Sequence, residues 1–351
     1  MAISSASHLA TIAAYAAAGG TAVLFLYAMG LRISHILQAR TRQRVRNTWW
    51  PVFAEAATSE RRNAAARLPR TPRRHLPVVL REWCGFRNSV RGASVNRLNA
   101  LARHAGLLAL ARDGLDSRHL GRKLLAVQAI GLLKDLPSWH AIQSLLEHKS
   151  IALSITAAAA LVDIDARRAV PLVIPLICSN DRWPRTQIAK LLANAGPDNI
   201  SDALCAAITS STDSIAARLL RYADCISTSQ LNQLLDRLLV ERQAPDLLAA
   251  ALKVARGLNC YETVVALTQH KAWYVRMQAA AVLGQFGTRT SIRHLEPLMS
   301  DPEWWVRYRA AQAIASLPFL GPHALRRLRE RQTDRYARDM LQQVLAERGV
   351  A

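Results

Sequence analysis

Lysine is nearly missing from this 351-residue chain: six of its 46 basic residues are Lys and the other 40 are Arg. Aromatic residues are scarce at 6%, and acids number 25, which leaves a formal charge of +21. Strand formers are sparse and no Gly-rich turns divide alternating apolar runs, so a β-rich fold is excluded. The five cysteines (Cys84, Cys178, Cys205, Cys225, Cys260) are odd in number and never at CxxC spacing. That argues against a zinc site or a disulfide framework and reads as buried free thiols in a reducing compartment. No P-loop, GxSxG, HExxH or Gly-rich dinucleotide turn is present. His140, His148, His270 and His294 sit near expected helix ends without a partner at ligand spacing, and read as solvated surface. No catalytic, cofactor-binding or metal-binding residue stands out.

What is abundant is Ala and Leu, within a hydrophobic content of 51%, as expected where helix faces pack closely through small residues. The Arg:Lys ratio reflects a GC-rich bacterial genome more than a chemistry, but the distribution of charge is informative. Between Arg32 and Arg103 there are 16 Arg and three acids (Glu55, Glu60, Glu82), about +13, and the remaining +8 is spread thinly. A basic block beside a hydrophobic segment points first to anionic lipid or topology and second to nucleic acid.

That hydrophobic segment runs from Leu9 to Leu31, 23 residues without a charge. As a helix it spans roughly 34 Å, enough for a hydrocarbon core of ~30 Å. Residues 1–8 contain no Lys or Arg, unlike the basic start of a cleaved signal peptide. Arg32, Arg40, Arg42, Arg44 and Arg46 follow the segment. The positive-inside rule then sets the N-terminus outside and the rest in the cytoplasm, at a bacterial inner membrane. Trp49 and Trp50 join these arginines as a membrane-interface set near anionic lipid; the other reading makes Trp49-Trp50-Pro51-Val52-Phe53 a plug against the first repeat. Pro69, Pro72 and Pro77 mark a linker.

The chain repeats itself. AWYVRMQAAAVLG, from Ala272, matches EWWVRYRAAQAIA, from Glu303, at an offset of 31. Taking Ala311 as reference, the register falls back on Ala280, Ala251, Leu220, Ala189, Ala158 and Val127, at intervals of 31, 29, 31, 31, 31 and 31. The residues one before and three after each reference are also apolar, which is one face of a helix. Forward, the register reaches the polar Gln342, a deviation that suits a terminal cap. A second apolar helix precedes each register, and Pro137, Gly196-Pro197, Pro245, Gly287 and Gly321-Pro322 separate them. The segment Ser94 to Arg112 is expected to be the first helix of the array.

The run DPEWWVRYRAAQAIASL, with its Asp301-Pro302 turn, Val306-Arg307 pair and following Ala-Ala, resembles the bacterial HEAT repeat of the phycobilin-lyase-like type. The resemblance covers about residues 118–345 and rests on periodicity alone in the Leu220 and Ala251 registers. It implies a right-handed superhelix whose second helices line a concave face, and it implies an activity only weakly. The expected fold is all-α: an α-solenoid of about seven 31-residue HEAT-type helix pairs plus a C-terminal cap, preceded by one transmembrane helix. The expected organisation is a tail at 1–8, a transmembrane helix at 9–31, an Arg-rich neck at 32–75, the N-terminal part of the solenoid at 76–117, and repeats with their cap at 118–351.

Enzymes with this architecture are disfavoured. Deoxyhypusine hydroxylases use paired His-Glu dipeptides to hold iron, and this chain has none. The HEAT-like DNA glycosylases use a basic, Trp-lined groove with an acid. Arg276, Arg307, Trp273, Trp304, Trp305 and Asp301 resemble that set superficially, but Asp301 is placed to cap a helix and the Val-Arg pair recurs with the repeat. The function read from the sequence is a membrane-anchored, non-enzymatic scaffold for a protein partner, with no small-molecule substrate evident; the alternative is a binder of nucleic acid or another anionic polymer. Trp273, Arg276, Trp304, Trp305, Arg307 and Arg309 are the candidate partner-binding residues. Adjacent Trp304 and Trp305 cannot both point inward along the same direction, so one is expected to be at least partly exposed beside Arg309; the alternative is that both pack, one under its own repeat and one against the C-terminal cap around Tyr336.

Overall fold

The computed structural model describes residues 2–58, 68–179, 182–257 and 259–349, with side chains from Phe25 onward. Among the described residues all regular structure is helical, and the chain divides into two compact units, residues 1–160 and 161–351.

In the first unit α1 (Ala2–Thr58) is followed by α2 (Leu76–Asn88), α3 (Ser94–His104), α4 (Leu107–Gly114), α5 (Leu120–Leu133), α6 (Trp139–Gln143) and α7 (Ile151–Ile164), which runs across the division. The expected first helix of the array, Ser94 to Arg112, is two helices, because Gly106 at φ +72° breaks it. Nor is the neck a linker throughout: α1 is helical as far as Thr58, and its last turns pack on α2 and α3. There Trp49 and Phe53 are buried, and Trp49 donates its indole N–H to the Thr71 hydroxyl at 3.0 Å. Trp50 donates to the buried Glu82 carboxylate at 3.3 Å and meets Phe86 edge-on, while Arg42 reaches the same carboxylate at 2.6 Å. The Arg46 guanidinium lies 3.9 Å above the Trp50 ring. The membrane-interface assignment of Trp49 and Trp50 is therefore corrected. A buried carboxylate needs donors, and the Trp50 indole and Arg42 supply them.

The second unit continues with α8 (Ala166–Ser179), α9 (Arg185–Ala195), α10 (Pro197–Ser210), α11 (Asp213–Leu219), α12 (Thr228–Glu241), α13 (Pro245–Val254) and α14 (Tyr261–Leu267). It ends with α15 (Trp273–Phe286), α16 (Ser291–Leu295), α17 (Trp304–Ala315), α18 (Pro322–Arg331) and α19 (Arg335–Glu347). Pro at the first or second position starts α10, α13 and α18, where its missing N–H is no loss. Gly287, at φ +64°, ends α15 in the left-handed conformation that a side chain disfavours.

The second helices of the repeats are α5, α7, α9, α11, α13, α15 and α17, and counting from the first residue of each exposes a common register. Position 8 is Val127, Ala158, Leu192, Leu220, Leu252, Ala280 and Ala311, and every one is buried. Positions 7 and 11 are buried in all seven as well. Two sequence-derived references are thereby corrected. Leu192 replaces Ala189 and Leu252 replaces Ala251, so the spacing is 31, 34, 28, 32, 28 and 31 instead of a near-constant 31. Pro184 and Gly196 bracket α9 and fix which of its apolar residues turn inward, leaving Ala189 half-exposed.

The turn entering these helices has its own device. The residue three before the helix accepts the backbone N–H of the residue just before it: Ser117 Oγ from His119, His148 Nδ1 from Ser150, His270 Nδ1 from Ala272, and Asp301 Oδ1 from Glu303. His148 and His270 are thus turn acceptors, not merely solvated surface. Each satisfies a donor that the helix leaves orphaned.

Candidate functional site

In the second unit α11, α13, α15, α17 and α19 pack side by side in sequence. At 100° per residue, positions 7, 8 and 11 point inward and positions 2, 6 and 9 point the opposite way. The outward positions form rows across neighbouring helices. Position 2 holds Ser214, Asp246, Tyr274, Trp305 and Tyr336; position 6 includes Arg218 and Arg309; position 9 includes Arg221, Lys253 and Gln312.

Trp305 is 54% exposed and Trp304, at position 1, is 37% exposed. Their rings meet edge to face at 4.7 Å, and Trp304 stacks on Tyr308 at 5.0 Å and 11°. Tyr308 donates its hydroxyl to Glu347 at 2.8 Å, and Tyr274 donates to Asp246 at 3.0 Å; these bonds raise both phenols above their ordinary range. Trp273 is 36% exposed and meets Tyr274 edge-on. Arg309 is exposed and donates only along its own helix, to Gln312.

Arg276 and Arg307, at position 4, play another part. Arg276 grips Asp301 with two bonds of 2.7 and 2.8 Å and gives Nη1 to the carbonyls of His270 and Lys271 at 2.9 and 3.0 Å. Arg307 gives Nη1 to the carbonyls of Asp301 and Pro302 at 2.7 and 2.9 Å, and its guanidinium lies 5.0 Å from the Tyr336 ring. Both arginines close the turn before their own helix. Arg276 is mostly buried and leaves the partner-binding set on that ground; Arg307, half-buried, follows it. Trp273, Trp304, Trp305 and Arg309 remain accessible, and Tyr336, read from the sequence only as part of the cap, joins them through its position 2.

Arginines elsewhere end helices in the same way. Arg103 donates to Leu133, Arg218 to Cys178, and Arg348 to Ala315, each a carbonyl in the last turn of a helix. Such carbonyls have no intrahelical partner, and a cation at that end also meets the negative pole of the helix.

Also in the second unit, a groove of about 910 Å³ crosses α9, α11 and α13. Arg185, Arg218, Arg221, Lys253 and Arg256 line it, against Asp224 and Asp246. This clustering is not legible in the sequence, because its members lie 71 residues apart at the extremes. Among the described residues no three His, Cys, Asp or Glu come together where a metal ion could be held.

The arrangement is that of a helical-repeat protein, with paired helices stacked in order and an outward face on the second helix of each pair. Residues 231–315 and 261–346 match the family model for HEAT repeats, and the chain carries HEAT repeats there. The comparison reaches the HEAT repeat and no finer class.

No curated protein matches this chain. Among solved structures it is similar to an engineered protein, at 18% identity over 84% of this chain and 87% of that one, with a TM-score of 0.33. It is also similar to human deoxyhypusine hydroxylase in complex with glycerol, at 14% identity over 88% and 97%, TM-score 0.26. A third is a structure of tubulin recruitment by microtubule polymerases with tumor overexpressed gene domain arrays, at 12% identity over 88% and 97%, TM-score 0.28. Likeness at these scores says nothing of what this chain binds.

Proposed function

We propose that this chain is a non-enzymatic HEAT-repeat scaffold, tethered to a bacterial inner membrane, that offers the outward face of its second helices to a protein partner on the cytoplasmic side. One observation carries the partner reading: Trp304, Trp305 and Arg309 stand exposed together, while the polar groups beside them, Arg276 and Asp301, are engaged inside the fold. Large rings with an adjacent Arg are what interface hot spots are made of. A photo-crosslinking residue placed at Trp305 in the full chain, in cells, tests it. A discrete protein adduct is expected from position 305 and none from the exposed Gln243. Absence of an adduct at 305, or the same adduct at 243, overturns the reading.

The tether is the finer part of the proposal. The expected span Leu9–Leu31 lies largely outside the residues whose side chains are described, and among the described residues no helix is long and apolar enough to cross a membrane. What supports a tether is the part of α1 that follows. Phe25, Leu26, Tyr27, Met29, Leu31 and Ile33 are all exposed on successive sides of one helix, which water disfavours. Arg32, Arg40 and Arg44 are exposed beyond them, suited to anionic headgroups. Retention in the membrane fraction after a carbonate wash, with a cytoplasm-dependent reporter active after Ala351, is the expected outcome; a periplasmic reporter signal refutes the orientation.

A further inference from the structure

The groove across α9, α11 and α13 holds cations that the fold does not use. Arg218 is engaged with the carbonyls that end α8, and Arg256 lies 3.4 Å from Asp224. Asp246 accepts the Tyr274 hydroxyl. Arg185, Arg221 and Lys253 are exposed, and among the described residues no carboxylate lies within salt-bridge distance of them. At the floor lies Tyr222, buried. Burial raises its phenol, and the charges of Arg185, Arg221 and Arg218, which line the same groove, act against that rise. Of the apolar lining, Ala217, Ala250 and Val254 are half-buried, while Ile177, Ile188 and Leu220 are buried.

We infer that this groove binds an extended acidic segment of a partner protein. The occupant being a protein rests on the scaffold reading above. Charge complementarity selects the sign, since like charges facing each other across an interface repel. Three helices packed at 8–10 Å centres present roughly 20 Å of groove, which an extended chain crosses in about six residues. The groove and Trp305 share the outward face of the second helices, so one partner chain can engage both.

Fluorescence anisotropy on the full chain tests this, with a fluorescein-labelled hexapeptide of alternating Glu and Leu as probe. Binding is expected, falling at least tenfold in the double variant Arg185→Glu, Arg221→Glu and weakening as salt rises. Both residues are exposed, so the variant should keep the wild-type melting temperature. If it unfolds, Lys253→Glu, also exposed, gives the same reading with an expected loss of about threefold. Equal binding of a Lys-Leu hexapeptide overturns the inference, as do unchanged affinity in the variants and full displacement by inorganic pyrophosphate. A probe that fails to bind while the adduct at position 305 forms removes the groove and leaves the scaffold. A bound probe with no adduct does the reverse.

Discussion

Replacing Gly131 by Ala puts a methyl group where α7 already stands. A Cβ there would lie 2.6 Å from the Cα of Ala160, 2.8 Å from its Cβ and 3.3 Å from its carbonyl oxygen. Backbone cannot swing aside as a side chain can, so α5 and α7 must part by nearly 1 Å to restore ordinary contact. Overpacking of this kind costs about 1–3 kcal/mol, against a gain of about 1 kcal/mol when Ala replaces Gly in a helix. The expected net loss is about 0–2 kcal/mol, toward the upper end because the nearest atom is backbone. Gly121 supplies the control on the same helix, since nothing lies within 4 Å of the Cβ it would acquire. Gly121→Ala is expected to raise stability by a few tenths of a kcal/mol. Urea unfolding followed by circular dichroism measures both. In the pair Gly131→Ala, Ala160→Gly one of the clashing methyls is gone but the Cα remains, so rescue should be partial, with a coupling of about 0.5–1 kcal/mol. If Gly131→Ala behaves like Gly121→Ala, or the pair is strictly additive, the close approach of α5 and α7 is wrong. The step recurs in the second unit, where a Cβ on Gly284 would meet Ala313 Cβ at 2.8 Å.

Three further outcomes are expected. Arg276→Lys should cost about 3 kcal/mol, the order of breaking a buried pair, because one ammonium cannot hold two Asp301 oxygens and two carbonyls at once; a melting temperature equal to wild type would count against that role. Hydrogen bonds and charge from Arg112, with the Ser138 hydroxyl and the charge of Arg103, outweigh burial and hold the Asp135 carboxyl below its usual value. The unfolded carboxyl, near 3.8, therefore takes up a proton first. This contribution is complete above about pH 5 and lost as the pH falls through 4 towards the folded value. Asp135→Asn should flatten that part of the acid limb, and an unchanged limb would contradict it. Burial pushes the Cys84 thiol up to about 12, and burial followed by Asp236 does the same to Cys260. Iodoacetamide at pH 8 should modify both far more slowly in the folded chain than in urea, and equal rates would refute the assignment.

The repeat was legible because small apolar residues recur at helical spacing, and positions 7, 8 and 11 of the second helices are where that pattern comes from. Its phase was less legible. In α9 both Ile188-Ala189 and Leu191-Leu192 are apolar pairs, and in α13 Ala250, Ala251 and Leu252 are consecutive, so hydrophobicity alone does not choose between them. The first residue of each helix chooses, and turn chemistry sets that residue. For these two helices the turn residues are Pro184, just before α9, and Pro245, the first residue of α13. Trp50 could not be placed from sequence because its partners, Glu82 and Phe86, lie more than 30 residues away, and the Thr71 that Trp49 bonds lies 22 away. Gly131 and Gly284 each mark a close approach to the second helix of the next repeat, which no spacing in the sequence reveals.

Forty arginines against six lysines first read as genome composition, and the structure divides them by use. Arg103, Arg218, Arg276, Arg307 and Arg348 each donate to carbonyls at helix ends or turns, work that favours a planar, many-donor cation over a compact ammonium. Arginines engaged in this way are poor evidence for a polyanion partner, since their donors and part of their charge are already committed. The informative arginines are the remainder. In the second unit Arg185 and Arg221 stand with Lys253 along one groove, and Arg309 stands beside Trp305 on the same outward face. A net charge of +21 therefore says less about function than these four exposed cations and the helix positions that align them.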